Sequence, residues 1–206
     1  MTSQQSEKIR NCYSQYCGVI KPLIAEIESL SESIPLPLFN EIRAFNDHVA
    51  RCYYNNPPQS YINEQVDKAQ RHITRITLDC FKCLNVLLYS RIETFDNQTR
   101  NIDLTVIDNG LFFQECTRLR QNGAKKVMAA KKQESIDIDH ALTLFQEAYN
   151  IYSEYVNLIV EKTETIKWAR CRFFRRKWLT ATLWILSVLI SAIVSAFFSC
   201  EIASIF

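Results

Sequence analysis

Glycine and proline are scarce in this chain. Its 206 residues hold three glycines (Gly18, Gly110, Gly123) and five prolines, the latter at Pro22, Pro35, Pro37, Pro57 and Pro58. With so few turn formers, long stretches run without a natural break, which favours an all-α fold. The shortage also excludes chemistry: no G-x-G-x-x-G or P-loop can be written, so a nucleotide-hydrolysing enzyme is not expected. Only His48, His72 and His140 are histidines, and none has a Ser or Cys nucleophile motif beside it. The N-terminal "MTSQQSEKIRNCYSQYC" lacks the apolar core of a secretory leader, so the body of the chain is expected to face the cytosol. The eight cysteines then read as reduced, small hydrophobes rather than a disulfide framework, and the sequon-like Asn97-Gln98-Thr99 as fortuitous. Cys80-x-x-Cys83 has no second pair at ligand spacing and lies on an apolar seam, so it is assigned to core packing; no metal and no cofactor are expected.

Charge of one sign is missing in two places. Between Lys167 and Lys177 stand six basic residues and no acid, and the only acid beyond Glu164 is Glu201. The overall charge of +2 therefore conceals a body, residues 1–166, with 18 basic and 21 acidic residues, net −3. A mildly acidic body argues against general nucleic-acid binding. The second acid-free stretch, "CTRLRQNGAKKVMAAKKQ", carries Arg118, Arg120, Lys125, Lys126, Lys131 and Lys132. It contains no aromatic residue on which a base could stack, so solvent or lipid suits it better than RNA.

What the chain does have is one long uncharged run. Residues 178–200 contain no charged side chain. As a helix they would span about 34 Å, enough for a hydrocarbon core of roughly 30 Å. Arg170, Arg172, Arg175, Arg176 and Lys177 precede the run, with Trp168 and Trp178 at its boundary. Cations and tryptophans in that order are what a cytoplasmic membrane interface requires. The expected layout is a cytoplasmic bundle over residues 1–166, a basic collar over 167–177, a transmembrane helix over 178–200 and a short far-side tail over 201–206. This is a single-pass, tail-anchored protein with its N-terminus in the cytoplasm, at the inner membrane if the source is bacterial. Within the run, Ser187, Ser191, Ser195 and Ser199 recur at every fourth position, with Ala192, Ala196 and Ala203 near them. Each step of four advances about 40° past a full turn, so the serines sweep a stripe roughly 120° wide. Small residues let helices approach closely and serine hydroxyls bond across, so the stripe points to a homo-oligomer.

Apolar periodicity divides the body into helices. The first is expected over 3–31, with Ile9, Tyr13, Tyr16, Ile20, Leu23, Ile27 and Leu30 on one face. A shorter one follows over 37–55, with Leu38, Ile42, Phe45, Val49, Cys52 and Tyr53 inside, and "NNPPQS" ends it. The third, over 60–95, is the most regular: Ile62, Val66, Ala69, Ile73, Ile76, Cys80, Cys83 and Leu87 alternate steps of four and three over four heptads. A fourth covers 111–132, with Gly123 a candidate interruption. The last begins near Asp139, places Leu142, Phe145, Tyr149, Tyr152, Val156 and Ile159 on its seam, and is expected to run on through the collar. The architecture is an up-and-down bundle of four to five helices whose last member continues into the membrane.

Inside the second helix, "NEIRAFNDHVARCYY" contains Arg43 and His48 as R-x4-H, with Glu41 just upstream. This resembles the motif of HEPN domains, all-helical bundles of prokaryotic immunity and toxin systems. The resemblance covers about fifteen residues, and Ala44 stands where the family often has a polar residue. It implies that Arg43 and His48, supplied by two copies, would act on an RNA phosphate in a metal-independent RNase. The plainer alternative pairs Arg43 with Asp47 one turn on. A helical body on a membrane segment is also similar to membrane accessory and effector proteins of prokaryotic antiviral defence. The leading expectation is a membrane-anchored, self-associating protein of that kind, acting on the membrane as effector or accessory, with pore formation its sharper form; its partners are the lipid bilayer and copies of itself, and the balance leans away from an enzyme. The alternatives are a membrane-tethered RNase, with RNA as partner, and an adaptor that recruits proteins through its cytoplasmic bundle.

Overall fold

The computed structural model describes the backbone of residues 1–203 and the side chains of residues 1–195. The chain is 88% helical, with no strand among the described residues. The elements in order are α1 (Ser3–Gln15), a π-helical turn (Tyr16–Ile20), α2 (Lys21–Ser31), α3 (Leu36–Arg51), α4 (Gln59–Thr99), two 3₁₀ turns (Leu104–Val106 and Asp108–Gly110), α5 (Leu111–Gln133), α6 (Ile138–Glu161) and α7 (Thr163–Ala203). They form two compact units: Met1–Asn97 with Glu115–Ile159, and Gln98–Gln114 with the chain from Val160 onward.

The first unit is the helical bundle. α1 starts on a capping box, in which Thr2 Oγ1 accepts from Gln5 N while Gln5 Oε1 accepts from Thr2 N, two otherwise orphaned amides satisfied at once. The π turn lets α1 and α2 continue without a break, and it adds a residue to the helical count. Cys12 and Ile20 are buried on one face while Tyr13 is exposed, a change from the expected apolar line. α2 ends where Glu32 turns left-handed (φ 57°). α3 stops at Arg51, so Tyr53 falls beyond its last turn and is exposed rather than inside.

α4 is the bundle's spine. Ile62, Val66, Ala69, Ile73, Ile76 and Cys80 are all buried, as the heptad pattern requires. Beyond Cys80 the buried line moves: Leu84, Leu88 and Ile92 are inside, whereas Cys83 and Leu87 are only half-buried. A straight helix has 3.6 residues per turn, so a 3.5-residue pattern drifts about 20° per heptad and the inward face passes to the neighbouring column. α6 shows the same displacement, burying Ala141, Phe145, Ala148, Tyr152 and Tyr155 while Leu142, Tyr149, Val156 and Ile159 lie at its margin.

α5 is unbroken through Gly123. A Cβ there would lie 2.3 Å from Cε1 of Tyr152, so the glycine lets α5 and α6 approach closely.

In the second unit Leu104, Ile107, Phe112, Ile166 and Ala169 are buried. The last rod does not run uninterrupted from 138 onward: α6 ends at Glu161, Lys162 turns, and α7 begins at Thr163. Thr163 Oγ1 donates back to Val160 O at 2.8 Å, and Lys162 Nζ pairs with Asp108 at 2.9 Å. Both contacts lie beside this turn, which the apolar pattern, continuous across it, does not reveal.

Candidate functional site

Among the described residues one stretch, Thr163–Ser195, is long and apolar enough to cross a membrane, and its apolar window is entirely unburied. Leu179, Leu183, Trp184, Ile185, Leu186, Leu189 and Ile193 are all more than half exposed. An apolar helix bare on every side needs an apolar solvent, because the surface it presents far exceeds what a soluble protein leaves in water.

The collar residues Arg170, Arg172, Arg175, Arg176 and Lys177 are exposed as well. Neighbouring rings hold some of these cations in place. Arg172 lies over the Trp168 ring at 5.4 Å, and Lys177 Nζ over Phe173 at 5.1 Å, with Phe173 edge-on to Phe174 at 5.8 Å. Such stacking orients a cation without neutralising it, which leaves its charge for an anion. Lys167 is instead paired with Glu164 at 2.7 Å.

A cavity of about 880 Å³ opens along this helix. Phe173, Phe174, Trp178, Ala181 and Trp184 make its apolar wall, Arg176 and Lys177 stand at its charged end, and Asp103 enters it from the 3₁₀ turn region. Asp103 caps that turn: its Oδ1 accepts from Thr105 N at 3.1 Å and from Thr105 Oγ1 at 2.5 Å. Those bonds, then Arg172 and Arg176 nearby, hold its carboxyl below the usual range. Asp103 lies some seventy positions from the collar, so no spacing rule in the sequence could associate the two.

Of the serines, Ser187 donates to Trp184 O at 2.8 Å, closing its hydroxyl onto its own helix. Ser191 and Ser195 are exposed. The Ser199 side chain and the tail over 201–206 lie outside what the structure describes in full.

Arg43 and His48 are placed differently within α3. Arg43 is exposed, and no ion pair engages it among the described residues; Asp47 pairs with Arg51 instead, at 2.7 Å. His48 is half-buried. Its Nδ1 donates to Gln65 Oε1 at 2.7 Å, and Gln65 is itself 2% exposed. The His48 ring stacks on His72 at 5.1 Å and 22°, and His72 Nδ1 bonds Glu41 Oε2 at 2.6 Å. The structure thus joins His48 to Gln65, His72 and Glu41, and within one chain it does not join it to Arg43. Steps of three and four along α3 carry Glu41 and His48 to the face that meets α4, whereas Arg43 projects from another.

Cys80 is fully buried, and burial pushes its thiol up to about 12. The acid-free basic stretch of α5 is partly consumed by ion pairs: Arg118 with Glu115 one turn back, and, with distant acids, Arg120 with Asp96 at 2.6 Å and Lys126 with Glu147 at 2.5 Å. No group of three or more His, Cys, Asp or Glu that could hold a metal occurs among the described residues.

No known protein family, characterised protein or solved structure matches the chain.

Proposed function

We propose that this chain is a membrane-anchored helical protein whose bundle works at the bilayer surface, with copies associating through the membrane segment. The observation that carries this reading is the bare apolar helix of Thr163–Ser195 led by an exposed, acid-free collar. Basic residues next to a span favour the cytoplasmic side, which supports a cytoplasmic bundle. Association between copies is supported by the small residues at Ser187, Ser191, Ala192 and Ser195, which permit close helix contact where lipid alone would favour larger side chains. A role in antiviral defence, in which such an assembly permeabilises the bilayer, is the more specific form of the proposal.

The test uses the full-length protein in lipid nanodiscs, with mass photometry reporting copies per disc and dye-loaded vesicles reporting leakage. A defined oligomer that loses order when Ser187, Ser191 and Ser195 are replaced together by leucine supports the reading. Monomers at every concentration would remove self-association, and an oligomer without leakage would remove permeabilisation. RNA cleavage lost in His48→Ala would favour the RNase instead.

A further inference from the structure

We propose that the cavity beside Asp103 binds the head group of an ethanolamine phospholipid, with phosphate on Arg176 and Lys177, the primary ammonium on Asp103, and an acyl chain along Ala181 and Trp184. This holds only for a chain seated in a bilayer as proposed above.

The cavity is graded along its length. Arg176 and Lys177 mark one end, and Trp184, seven to eight residues further on, lies about 11 Å deeper into the span. That separation matches the step from phosphate level to the upper acyl chain, so one molecule with a charged head and an apolar tail fits both ends. Lys177 is already set over Phe173, and among the described residues no acid forms an ion pair with it or with Arg176. Two cations with free hydrogen-bond donors suit a phosphate.

Asp103 decides the type of head group. A purely basic collar would take any anionic lipid, and a carboxylate placed beside it would weaken that binding. An ethanolamine head group makes use of both signs, since its ammonium can donate to the carboxylate while its phosphate meets the cations. A choline group has no N–H to donate, and a glycerol head group has no positive charge. Asp103 is exposed, so the ion pair is solvent-screened and its effect is modest, about fivefold in affinity.

The experiment is lipid retention by full-length protein in nanodiscs of equal phosphatidylethanolamine, phosphatidylglycerol and phosphatidylcholine, read by native mass spectrometry after partial delipidation. Wild type is expected to retain the ethanolamine lipid about fivefold over the other two. Asp103→Asn keeps the Oδ1 that caps Thr105, so the turn survives, yet the preference should vanish. Arg176→Gln with Lys177→Gln should lower retention of all three. An unchanged preference in Asp103→Asn, or equal retention of glycerol and ethanolamine lipids by wild type, overturns the proposal. Alkaline extraction of the same samples separates this failure from failure of the membrane reading: a chain that is stripped from the bilayer refutes both, one that stays refutes only the head-group assignment.

Discussion

No side chain fits at position 123. The Cβ that any other residue would add lies 2.3 Å from the Tyr152 ring, and Tyr152 is buried in the bundle. In an isolated helix Gly→Ala gains up to about 1 kcal/mol. Here overpacking should outweigh that gain, and Gly123→Ala is expected to destabilise the bundle by about 1–3 kcal/mol. Chemical denaturation followed by circular dichroism checks the value, and Gly123→Ala combined with Tyr152→Leu should recover part of the loss. A more stable Gly123→Ala would show that α5 and α6 do not approach so closely.

Arg43 and His48 should respond differently to truncation. His48→Ala strands the buried carbonyl of Gln65, which costs about 1–3 kcal/mol. Arg43→Ala removes an exposed, unpaired cation and should fall within about 0.5 kcal/mol of wild type. Equal effects on stability would contradict the placement of the two residues. An RNA-cleavage defect in both, without a stability defect in either, would restore the catalytic interpretation.

The cysteines report the fold by their reactivity. Cys17 and Cys171 are exposed, whereas Cys12, Cys52, Cys80 and Cys116 are buried. Burial raises the Cys80 thiol to about 12 and Cys116 to about 11, so both stay protonated at neutral pH. Iodoacetamide mapping at pH 8 should label Cys17 rapidly and leave Cys80 and Cys116 intact until the protein unfolds. Early modification of Cys80 would place it outside the core.

Asp79 gives a pH dependence. Burial raises its carboxyl above 3.8; Lys82 opposes this, while Glu41 and Glu134 add to it. A carboxyl whose folded pKa is raised binds its proton more tightly in the native state. Its contribution favours folding at acid pH and declines as pH rises through the raised value. Asp79→Asn should therefore raise Tm at pH 7, with the advantage shrinking toward pH 3. A variant less stable than wild type at pH 7 would show instead that the Lys82 contact, at 3.6 Å, dominates.

The bundle was legible in the sequence because burial needs apolar side chains at helical spacing, and Ile62 through Cys80 kept that spacing without a fault. Its finer geometry was not. The passage of the α4 seam from Cys83 to Leu84 follows from helix pitch, and the π turn at 16–20 changes no residue type. The break at Lys162 has no mark in the apolar pattern, and its side chain pairs with Asp108, more than fifty positions away. The helix long and apolar enough to cross a membrane was legible for the opposite reason: an uncharged run preceded by cations needs no partner to be recognised. Arg43 and His48 stood out as a spacing, but hydrogen bonding across helices decided what His48 touches. Gln65, His72 and Asp103 carried no local signal, since each gains its place only when distant elements meet.

We propose that the chain from Thr163 onward sits in a bilayer. The most direct measurement is alkaline carbonate extraction of membranes carrying the full-length protein, beside a variant with Leu186→Lys and Ile190→Lys. Wild type should stay in the membrane pellet and the variant should move substantially to the supernatant, because each lysine near the centre of a span costs about 3 kcal/mol. Wild type released by carbonate, or a variant that stays as firmly as wild type, would contradict the account.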